Sequence, residues 1–388
     1  MVSIAEQIIV IGDGVAGLAM TLALAQHGHE VTLISEGRNL PDRHMGGMQL
    51  APNSWAALRQ LSCEDAIKAH AKPLELMRLM ALATGHTLIH LPLDAAHHRQ
   101  PYASVTRRGL LVALMEKVKS LVTVNVIEAK VVTVASDMAH KKACLSLDDG
   151  KTIEADWVFG ADGVTGICRR YIQGDQDLRP TRSSRQAHRF AIPLSKMPEV
   201  MASASTSVWL GREGHIVYYP LSDDYLNMVV MTSSHEGGKK QAEQLLGEHP
   251  WLGDGGVPLD DVLVKPLTEW PRCDSWLRGR VVVTGDSAHQ MPPHLAQGAG
   301  QALADAASLS QLISSGKNGA PLQDILPVWA GQRMRQIRSV LDAASAAGRV
   351  FSPPPALAMM RDAAVGFGGM AVLPRILDRI WSDQSLSR

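Results

Sequence analysis

The sequence lacks an excess of either charge. Its 38 lysines and arginines balance 38 aspartates and glutamates over 388 residues, and no run of basic residues occurs. Proteins that bind nucleic acid through its phosphates concentrate positive charge on one surface. We therefore expect no nucleic acid as a main partner.

Cysteine is also scarce. The four cysteines, Cys63, Cys144, Cys168 and Cys273, are widely spaced and show no metal-ligand pairing. This pattern predicts no metal site and buried thiols in a reducing compartment, although spacing alone leaves a disulfide open. The expected location is the cytoplasm.

Long hydrophobic runs are missing as well. The most apolar stretches are the first strand with its helix and Ala363–Leu373, and both contain glycine. Neither reaches the length of a membrane span, and the chain enters a core strand almost at once, so we expect neither stable membrane insertion nor a signal peptide. The amphipathic stretch Leu373–Trp381 can serve a homodimer, a membrane surface or the protein's own core, and the core is favoured.

The first fifty residues carry the most specific pattern. An apolar strand leads into a glycine-rich turn, a helix of small residues and a second strand that ends before Glu36. Gly12 permits a tight turn, Gly14 lets the backbone approach a pyrophosphate, and Gly17 lets the helix pack on the strand. Glu36 is placed to accept hydrogen bonds from a ribose. Asp13 fits beside a pyrophosphate only if its side chain points away.

The rest of the chain separates into two kinds of sequence. Short buried strands, such as 157–159 and 281–283, alternate with helices on either side of a segment from about 179 to 270. Within that segment, 215–219 and 226–231 alternate between apolar and polar residues, which predicts a largely antiparallel sheet with one exposed face. With 46% hydrophobic and 20% charged residues, the composition indicates a soluble protein of two domains or one interleaved unit.

Two further motifs lie where apolar strands end. Gly160–Arg169 and Gly285–Gly300 each place an acid beside a glycine, which suits hydrogen bonding to ligand hydroxyls. The helix that begins near Gly298 directs N–H groups at whatever lies above Pro293, and this favours an anion there.

With these motifs in this order, and Arg107 before a helix, the chain resembles the single-component FAD-dependent aromatic hydroxylases, which include para-hydroxybenzoate hydroxylase. The segment Met291–Ala299 resembles the salicylate and 6-hydroxynicotinate monooxygenase branch. The resemblance implies an α/β fold: a Rossmann-like FAD-binding domain with an inserted, mostly antiparallel sheet substrate domain and C-terminal helices. The implied boundaries are 1–72, 101–178 and 271–350 for the FAD-binding domain, 73–100 and 179–270 for the substrate domain, and 351–388 for the helical segment.

The resemblance also implies roles for residues at matching positions. They would hold the pyrophosphate, ribose, ribitol and flavin ring of FAD, or guard the cofactor entrance. The implied set is Gly12, Gly14, Ala16, Gly17, Glu36, Arg43, Gly47, Met48, Arg107, Asp162, Gly163, Asp286, Pro293, Gln297, Gly298, Ala299 and Gly300. Gly166 departs from the usual serine, which puts nicotinamide handling in doubt, and Ala304 replaces an acid before Asp305.

The implied reaction is hydroxylation of a small aromatic or N-heteroaromatic substrate. NAD(P)H reduces the FAD, and dioxygen forms a flavin hydroperoxide that transfers OH to the ring. Because the sequence holds one complete dinucleotide fingerprint, we expect the nicotinamide nucleotide to bind transiently.

Four residues are candidates for the chemistry. His215 and Tyr219 share one face of a predicted strand, so both can orient or deprotonate the substrate if that face meets the flavin. A purely structural role in the sheet is an equal alternative. Pro293 is expected near the reactive flavin carbon, and His294 has an even chance of facing the substrate. His289 is expected to bond within its loop.

Two other functions stay open. One keeps the fold and changes the reaction to that of a flavin-dependent reductase or halogenase, although the Trp-x-Trp-x-Ile motif of halogenases is absent. The other is a non-catalytic FAD-binding redox protein, which the glycine at position 166 leaves open.

Overall fold

A computed structural model describes the protein over residues 5–37, 46–93, 100–174, 179–233, 237–252, 262–316 and 320–381. The helices in these ranges are α1 (Val15–Ala25), α2 (Pro52–Gln60), α3 (Glu64–Lys68), α4 (Arg107–Lys119), α5 (Ile167–Gln173), α6 (Gly238–Gly247), α7 (Asp286–His289), α8 (Gly298–Ser315), α9 (Leu322–Phe351) and α10 (Ala358–Trp381).

The strands are β1 (Gln7–Ile11), β2 (Glu30–Ser35), β3 (Gly47–Leu50), β4 (Ala71–Pro73), β5 (Leu76–Ala81), β6 (Thr87–Pro92), β7 (Ala103–Thr106), β8 (Val124–Glu128), β9 (Val131–Asp137), β10 (Lys142–Leu147), β11 (Thr152–Ala155), β12 (Trp157–Gly160), β13 (Thr181–Pro193), β14 (Ser205–Leu210), β15 (Gly214–Pro220), β16 (Tyr225–Thr232), β17 (Leu263–Glu269), β18 (Leu277–Arg278) and β19 (Val281–Val283). The mixed α/β class predicted from the sequence is confirmed.

A six-stranded sheet in the order β18-β19-β12-β1-β2-β8 carries the glycine motifs. All neighbouring pairs are parallel except β18 with β19. Residues 8–11 and 281–283 are buried, as expected for parallel strands that are covered on both faces. Because β19, β12 and β1 are neighbours, the three motifs that follow them meet at one edge.

A seven-stranded sheet in the order β17-β13-β16-β15-β14-β5-β6 forms the second layer. Its pairs are antiparallel except β14 with β5, so the predicted antiparallel insert is present and recruits the earlier strands β5 and β6. Alternate residues of β15 face opposite sides, and both sides are covered, which corrects the expectation of one exposed face. Tyr219 joins the core of the parallel sheet, whereas Ile216 and Tyr218 join a second core beneath α6.

Two smaller three-stranded sheets complete the strands, in the orders β11-β10-β9 and β3-β7-β4. The first contains the hairpin predicted at Asp149-Gly150, where β10 pairs antiparallel with β11. The second places Gly47 opposite Thr106, so the start of α4 lies beside β3.

The structure tests two expectations that were drawn from the composition, one about cysteines and one about apolar stretches. All four cysteines are free, and Cys144 is the least buried of them. Pro355–Trp381 is long and apolar enough to cross a membrane by length and composition, with a window of mean hydropathy 1.4. This corrects the expectation that no apolar stretch reaches that length. In the amphipathic stretch Leu373–Trp381, for which a position in the protein's own core was favoured, the side chains of Leu377, Ile380 and Trp381 are buried.

Candidate functional site

The turn after β1 can be formed only by glycine at two of its positions. Gly12 has φ +106°, and its N–H donates to the Ile34 carbonyl at 2.8 Å. A Cβ on Gly17 would lie 1.8 Å from the Gly12 carbonyl oxygen. Gly14 differs, because a Cβ there would meet no atom within 4 Å. The turn is therefore tight on the protein side and open at the α1 N-terminus, whose N-cap makes no side-chain hydrogen bond.

The structure resolves the question raised by Asp13. Its carboxylate accepts a hydrogen bond from Ser35 Oγ at 2.7 Å, so it is directed toward β2 and not over the α1 N-terminus. Glu36 follows β2 and is exposed. The α1 N-terminus thus keeps its positive end free for a pyrophosphate, and Glu36 lies one strand away.

The Asp162 motif follows β12. Asp162 Oδ2 accepts from the Cys168 N–H at 2.9 Å, and Oδ1 accepts from Ser287 Oγ at 3.0 Å. Gly163, at φ +81°, donates its N–H to the same hydroxyl at 2.7 Å. A Cβ on Gly166 would lie 2.1 Å from the Asp162 carboxyl carbon. In this chain the Asp162 carboxylate therefore occupies the space that a side chain at position 166 would need.

The Gly285 turn joins the third strand end to the first. Gly285 has φ +59°, and a Cβ there would lie 2.4 Å from the Ala16 Cβ, so the turn packs directly on α1. Asp286 begins α7 and is exposed at this edge, with no hydrogen bond recorded among the described residues. It is therefore available to a ligand that lies across β1 and β19.

Asp305 on α8 holds the Gly285 turn in place. One carboxylate oxygen accepts from Thr284 Oγ1 at 2.9 Å, from the Gly285 N–H at 3.0 Å and from His289 Nε2 at 2.7 Å. The other accepts from Arg333 Nε of α9 at 2.9 Å. Burial alone would raise the pKa of Asp305, but the charges of His289 and Arg333 hold it below its usual range. His289 thus has the loop-bonding role that we expected.

The N-terminus of α8 faces α2. A Cβ on Gly298 would meet no atom within 4 Å, whereas one on Gly300 would lie 2.6 Å from Ser54 Oγ. Asn53 Oδ1 and Ser54 Oγ are buried and have no hydrogen-bond partner among the described residues. Buried acceptors without partners are costly, so this corner is suited to a ligand that donates hydrogen bonds.

The Gln297 side chain is committed within the protein. Its Oε1 accepts from Asn53 Nδ2 at 2.9 Å and from Gln301 Nε2 at 3.1 Å. Ala296, just before it, has φ +52°, a conformation that non-glycine residues adopt rarely, so the loop is held firmly by its surroundings. Pro293, at the other end of this short segment, is exposed.

Strand β3 is fixed against the seven-stranded sheet. The Gly47 N–H donates to Asn227 Oδ1 at 3.0 Å, and a Cβ on Gly47 would lie 2.7 Å from that amide. Met48 follows it, half-buried. Arg107 donates its N–H to the Gly46 carbonyl at 2.9 Å and is exposed. Arg43 lies outside the described residues.

Tyr219 belongs to the same junction. It is buried beside the Gln49 and Asn227 side chains, and burial raises its pKa well above the usual value. Gln49 Oε1 accepts from Tyr102 Oη at 2.8 Å. The Tyr219 side chain therefore lies beside two amide side chains, and Asn227 joins this junction to the backbone of β3.

His215 lies elsewhere along the same face of β15. Its Nδ1 lies 3.0 Å from Ser352 Oγ, and its ring centroid is 5.8 Å from that of His294 and 5.3 Å from that of Phe351. Burial, together with the neighbouring His294 and Arg185, lowers the pKa of His215 far below its usual value. The structure therefore brings together the two candidate histidines, and places Tyr219 at a separate point.

Arg185 of β13 completes this cluster. Its Nη1 lies 3.3 Å from His294 Nε2, and no salt bridge from it to a carboxylate occurs among the described residues. Burial and the Arg185 charge lower the pKa of His294 to about 4. A Cβ on Gly348 of α9 would lie 2.6 Å from the His294 ring and 2.7 Å from Arg185 Nη1. Glycine at 348 makes room for both side chains.

A cleft of about 770 Å³ borders the cluster, between β13, β17, the 286–294 segment and α9. Cationic side chains outnumber acidic ones along its walls. The cations are Arg169, Arg185, Arg189, Lys265, Arg272 and Arg338, and the acids are Glu269, Asp274 and Asp286. The cleft therefore favours an anionic ligand.

The residues present fit an FAD molecule. Two helix N-termini, those of α1 and α8, lack side-chain caps and leave open space at Gly14 and Gly298. Buried oxygens of Asn53 and Ser54 lack partners beside the second. An extended cofactor with a pyrophosphate and a hydrogen-bonding ring suits this cradle.

Sequence reasoning missed several residues of this site. The motifs point to Asp305 only through the departure at Ala304, although an acid among the small residues of a buried helix is itself a detectable signal. Arg185, Asn227 and Ser352 offered none, because each lies more than 100 residues along the chain from its partner.

The chain is similar to known proteins over most of its length. The family described as FAD binding domain matches residues 5–344. The 3-hydroxybenzoate 6-hydroxylase 1 of Aquipseudomonas alcaligenes is 30% identical over 335 residues, 79% of this chain and 80% of that protein. The 6-hydroxynicotinate 3-monooxygenase of Pseudomonas fluorescens is 27% identical over 331 residues, 79% of this chain and 82% of that protein.

A solved structure shares the fold. The structure of Klebsiella pneumoniae HpxO complexed with FAD and uric acid superposes with a TM-score of 0.84 at 16% identity, and the match covers 96% of each chain. The arrangement of a parallel sheet, an inserted sheet and C-terminal helices is thus one that accommodates FAD.

Proposed function

The chain belongs to the FAD binding domain family and is an FAD-dependent aromatic monooxygenase, and we propose that it hydroxylates a small aromatic or N-heteroaromatic compound that carries a ring hydroxyl. The relatives named for hydroxybenzoate and hydroxynicotinate support this substrate class. NAD(P)H is the reductant typical of the family, and bound FAD supplies the oxygen-transfer chemistry.

The observation that carries the proposal is the state of His294. Arginine can only donate, so the contact from Arg185 makes His294 Nε2 an acceptor. The pKa of about 4 keeps the ring neutral at pH 7, and its single proton must then lie on Nδ1. That nitrogen is buried and has no hydrogen-bond partner among the described residues. His294 therefore presents an unsatisfied N–H donor, which suits a phenolate oxygen.

His215 supplies a different function. It is neutral because its pKa is far below 7, and Ser352 Oγ lies 3.0 Å from its Nδ1. A neutral imidazole can accept a hydrogen bond from a ring hydroxyl and orient it, while the His294 N–H stabilises negative charge on the ring oxygen. Negative charge on that oxygen makes the ring richer in electrons, so both contacts favour hydroxylation. Pro293, one residue before His294, is proposed to lie next to the flavin ring.

Tyr219 is proposed as a positioning residue. It contacts Gln49 and Asn227, and Asn227 holds the Gly47 N–H. Through these bonds it aligns β3, whose Gly47 and Met48 backbone is proposed to contact the flavin.

The proposed FAD contacts follow the three strand ends and the two open helix N-termini. Gly12, Gly14, Ala16, Gly17 and the α1 N-terminus hold the pyrophosphate. Glu36 and Arg107 face the ribose side, and Asp162, Gly163 and Asp286 support the ribitol region. The amides of Gly298, Ala299 and Gly300 face the ring, while the Gln297 side chain supports them from behind. Arg43 is retained as an entrance residue.

The nicotinamide nucleotide is proposed to bind transiently in the cationic cleft beside Asp286. Arg169 adds positive charge to the cleft but makes no direct contact with the nucleotide, because its guanidinium is buried and donates to the Ser287 and Pro271 carbonyls. We also propose that the protein is cytoplasmic and forms a homodimer. Neither nucleic acid nor an inserted membrane is proposed as a partner.

The test is a screen of phenols and hydroxypyridines for stimulated NAD(P)H oxidation with identified hydroxylated product. With the best substrate, His294→Leu is expected to lower product per NAD(P)H by roughly tenfold or more, because the donor is lost. His294→Gln, which keeps an N–H donor, should fall between. FAD content should match the wild type in both variants.

His140→Leu, at an exposed histidine outside the site, is the matched control and should behave as wild type. Unchanged product yield in His294→Leu would overturn the role of His294. The absence of hydroxylated product from every phenol and hydroxypyridine would overturn the substrate class.

A further inference from the structure

The solvent side of α10 is apolar through most of its length. Met359 is 81% exposed, Phe367 97% and Met370 46%. We call the α10 face the exposed set Met359, Met360, Ala363, Ala364, Phe367, Met370, Ala371 and Val372. Large side chains offer about 150–250 Å² each, so the face exposes on the order of 600 Å² of apolar surface. That equals the largest patch of a typical monomer.

The N-terminal end of α10 is fixed to the protein body. Arg361 is buried, and its Nε donates to Asp362 at 2.7 Å. Its two terminal nitrogens donate, at 3.0–3.3 Å, to the backbone carbonyls of Leu210, Gly211, Val350 and Phe351.

The middle and the C-terminal end are fixed as well. A Cβ on Gly369 would lie 2.5 Å from Ile89 of β6, so the helix packs closely on that strand. The Trp381 ring lies 5.5 Å from that of Tyr102. A helix held at three points cannot leave the body to cross a membrane, although its length and composition would allow it.

The spacing of the α10 face is self-complementary. At 3.6 residues per turn, Met360, Ala364, Phe367, Ala371 and Asp378 follow the centre of the exposed side. Within this row, Phe367 and Ala371 lie symmetrically about position 369, whereas the position symmetric to Ala364 is Pro374. An antiparallel pair therefore sets Phe367 of one copy opposite Ala371 of the other, large against small, twice. A parallel pair would set Phe367 against itself and leave gaps at the alanines.

Charge favours the same arrangement. Arg375, Asp378 and Arg379 are exposed in the last two turns. Parallel pairing would bring Arg375 and Arg379 of the two copies together, whereas antiparallel pairing moves these arginines to opposite ends. Membrane-surface helices carry many lysines and arginines beside the apolar face, but α10 has no lysine, and two acids accompany its three arginines. These features favour a protein surface over a lipid one.

We propose that the α10 face is the interface of a homodimer in which two α10 helices pack antiparallel about a two-fold axis near Gly369. The apolar area is close to the roughly 800 Å² that one partner contributes to a standard interface. This interface is independent of the proposed catalytic residues, none of which lies on α10.

Sedimentation velocity of the FAD-loaded full chain tests the proposal. The wild type is expected to sediment at twice its chain mass of 41.9 kDa at micromolar concentration. Phe367→Glu should raise the dimer dissociation constant by at least about 100-fold, because it buries an unpaired charge. Val122→Glu, at a fully exposed valine outside the α10 face, is the matched control and should leave the dimer intact.

Ala371→Trp separates the two explanations for the apolar face. In the dimer it fills the space that Phe367 needs, so the dimer should weaken. On a membrane surface an added tryptophan strengthens binding. Flotation with phosphatidylcholine vesicles, with and without phosphatidylglycerol, measures the second outcome. A monomeric wild type, or stronger vesicle binding by Ala371→Trp, would overturn the proposal.

Discussion

The edge of the parallel sheet and the face of the seven-stranded sheet build their halves of the site differently. At the edge, glycines and backbone groups do most of the positioning: Gly12, Gly17 and Gly285 exist because a Cβ would collide. On the sheet face, side chains position one another. His215 meets Ser352 from 137 residues away, and Arg185 meets His294 from 109 residues away.

The difference follows from what each half is proposed to hold. A dinucleotide presents a phosphate and ribose that every cofactor molecule shares, and backbone N–H groups suit them in a short local motif. A substrate ring differs from enzyme to enzyme, so its contacts come from side chains that long-range folding gathers. Substitutions should therefore separate flavin binding at the edge from product formation at the face.

The largest effect on flavin binding is expected from Asp286→Ala. The exposed carboxylate at the end of β19 is proposed to contact the ribitol region, and loss of its charge-assisted hydrogen bonds should weaken FAD binding at least about 100-fold. Absorbance of the purified variant near the flavin maximum measures occupancy. Asp65→Ala, at an exposed acid far along the chain, should keep its flavin. Normal occupancy in Asp286→Ala would contradict the contact.

Gly14→Ala should have a smaller effect at the same edge. In the protein alone a Cβ there meets nothing within 4 Å, so the variant should fold with unchanged thermal stability. A bound pyrophosphate would occupy that space, and FAD affinity should fall roughly 10- to 100-fold.

Gly247→Ala is the control for this glycine. Its Cβ also meets nothing within 4 Å, but it ends α6, away from the glycine motifs. Equal FAD affinity in the Gly14 and Gly247 variants, measured by flavin fluorescence titration, would mean that the pyrophosphate lies elsewhere.

The smallest effect is a dependence of stability on pH. Burial lowers the pKa of His29, His249 and His294 to about 4, each from an unfolded value near 6.5. Below pH 6.5 the unfolded chain binds protons that the folded chain excludes. The free energy of unfolding should therefore fall as pH drops from 6.5 to 4, by up to about 1.4 kcal/mol per pH unit for each histidine.

Urea unfolding at several pH values measures this dependence. His294→Gln should lower the number of protons taken up on unfolding by about one, since glutamine does not titrate. An identical slope in the variant would show that His294 is not held neutral by burial. The His249 ring lies beside the sheet's second core, with its centroid 4.2 Å from that of Trp209, so its contribution should be unaffected by a substrate analogue.

The sequence predicted the edge better than the face, for a physical reason. The strand, turn and helix from residue 8 to residue 36 are one local unit, and each glycine has a steric requirement that reads directly from its position. The same holds for the segments beginning at Gly160 and Gly285. The convergence of the three motifs then followed, since the carboxyl ends of parallel strands share an edge.

On the sheet face, the only prediction came from the alternation of side chains along one strand. Alternation along β15 correctly placed His215 and Tyr219 on one side, yet it could not tell that one meets His294 and the other meets Gln49. The partners Arg185, Asn227 and Ser352 depend on the register between distant strands and on the path of α9, and no local pattern encodes those. Arg43 lies outside the described residues, so its role stays a prediction.

Gly348 illustrates a limit on engineering this enzyme. Replacing helical glycine with alanine is a standard route to greater thermal stability, and Gly331 of the same helix offers a harmless site, with only the flexible end of Arg335 nearby. At position 348 the added methyl group would strike both His294 and Arg185. A library screened for heat resistance alone would therefore accumulate alanine at the first position and reject it at the second, where the clash lowers stability.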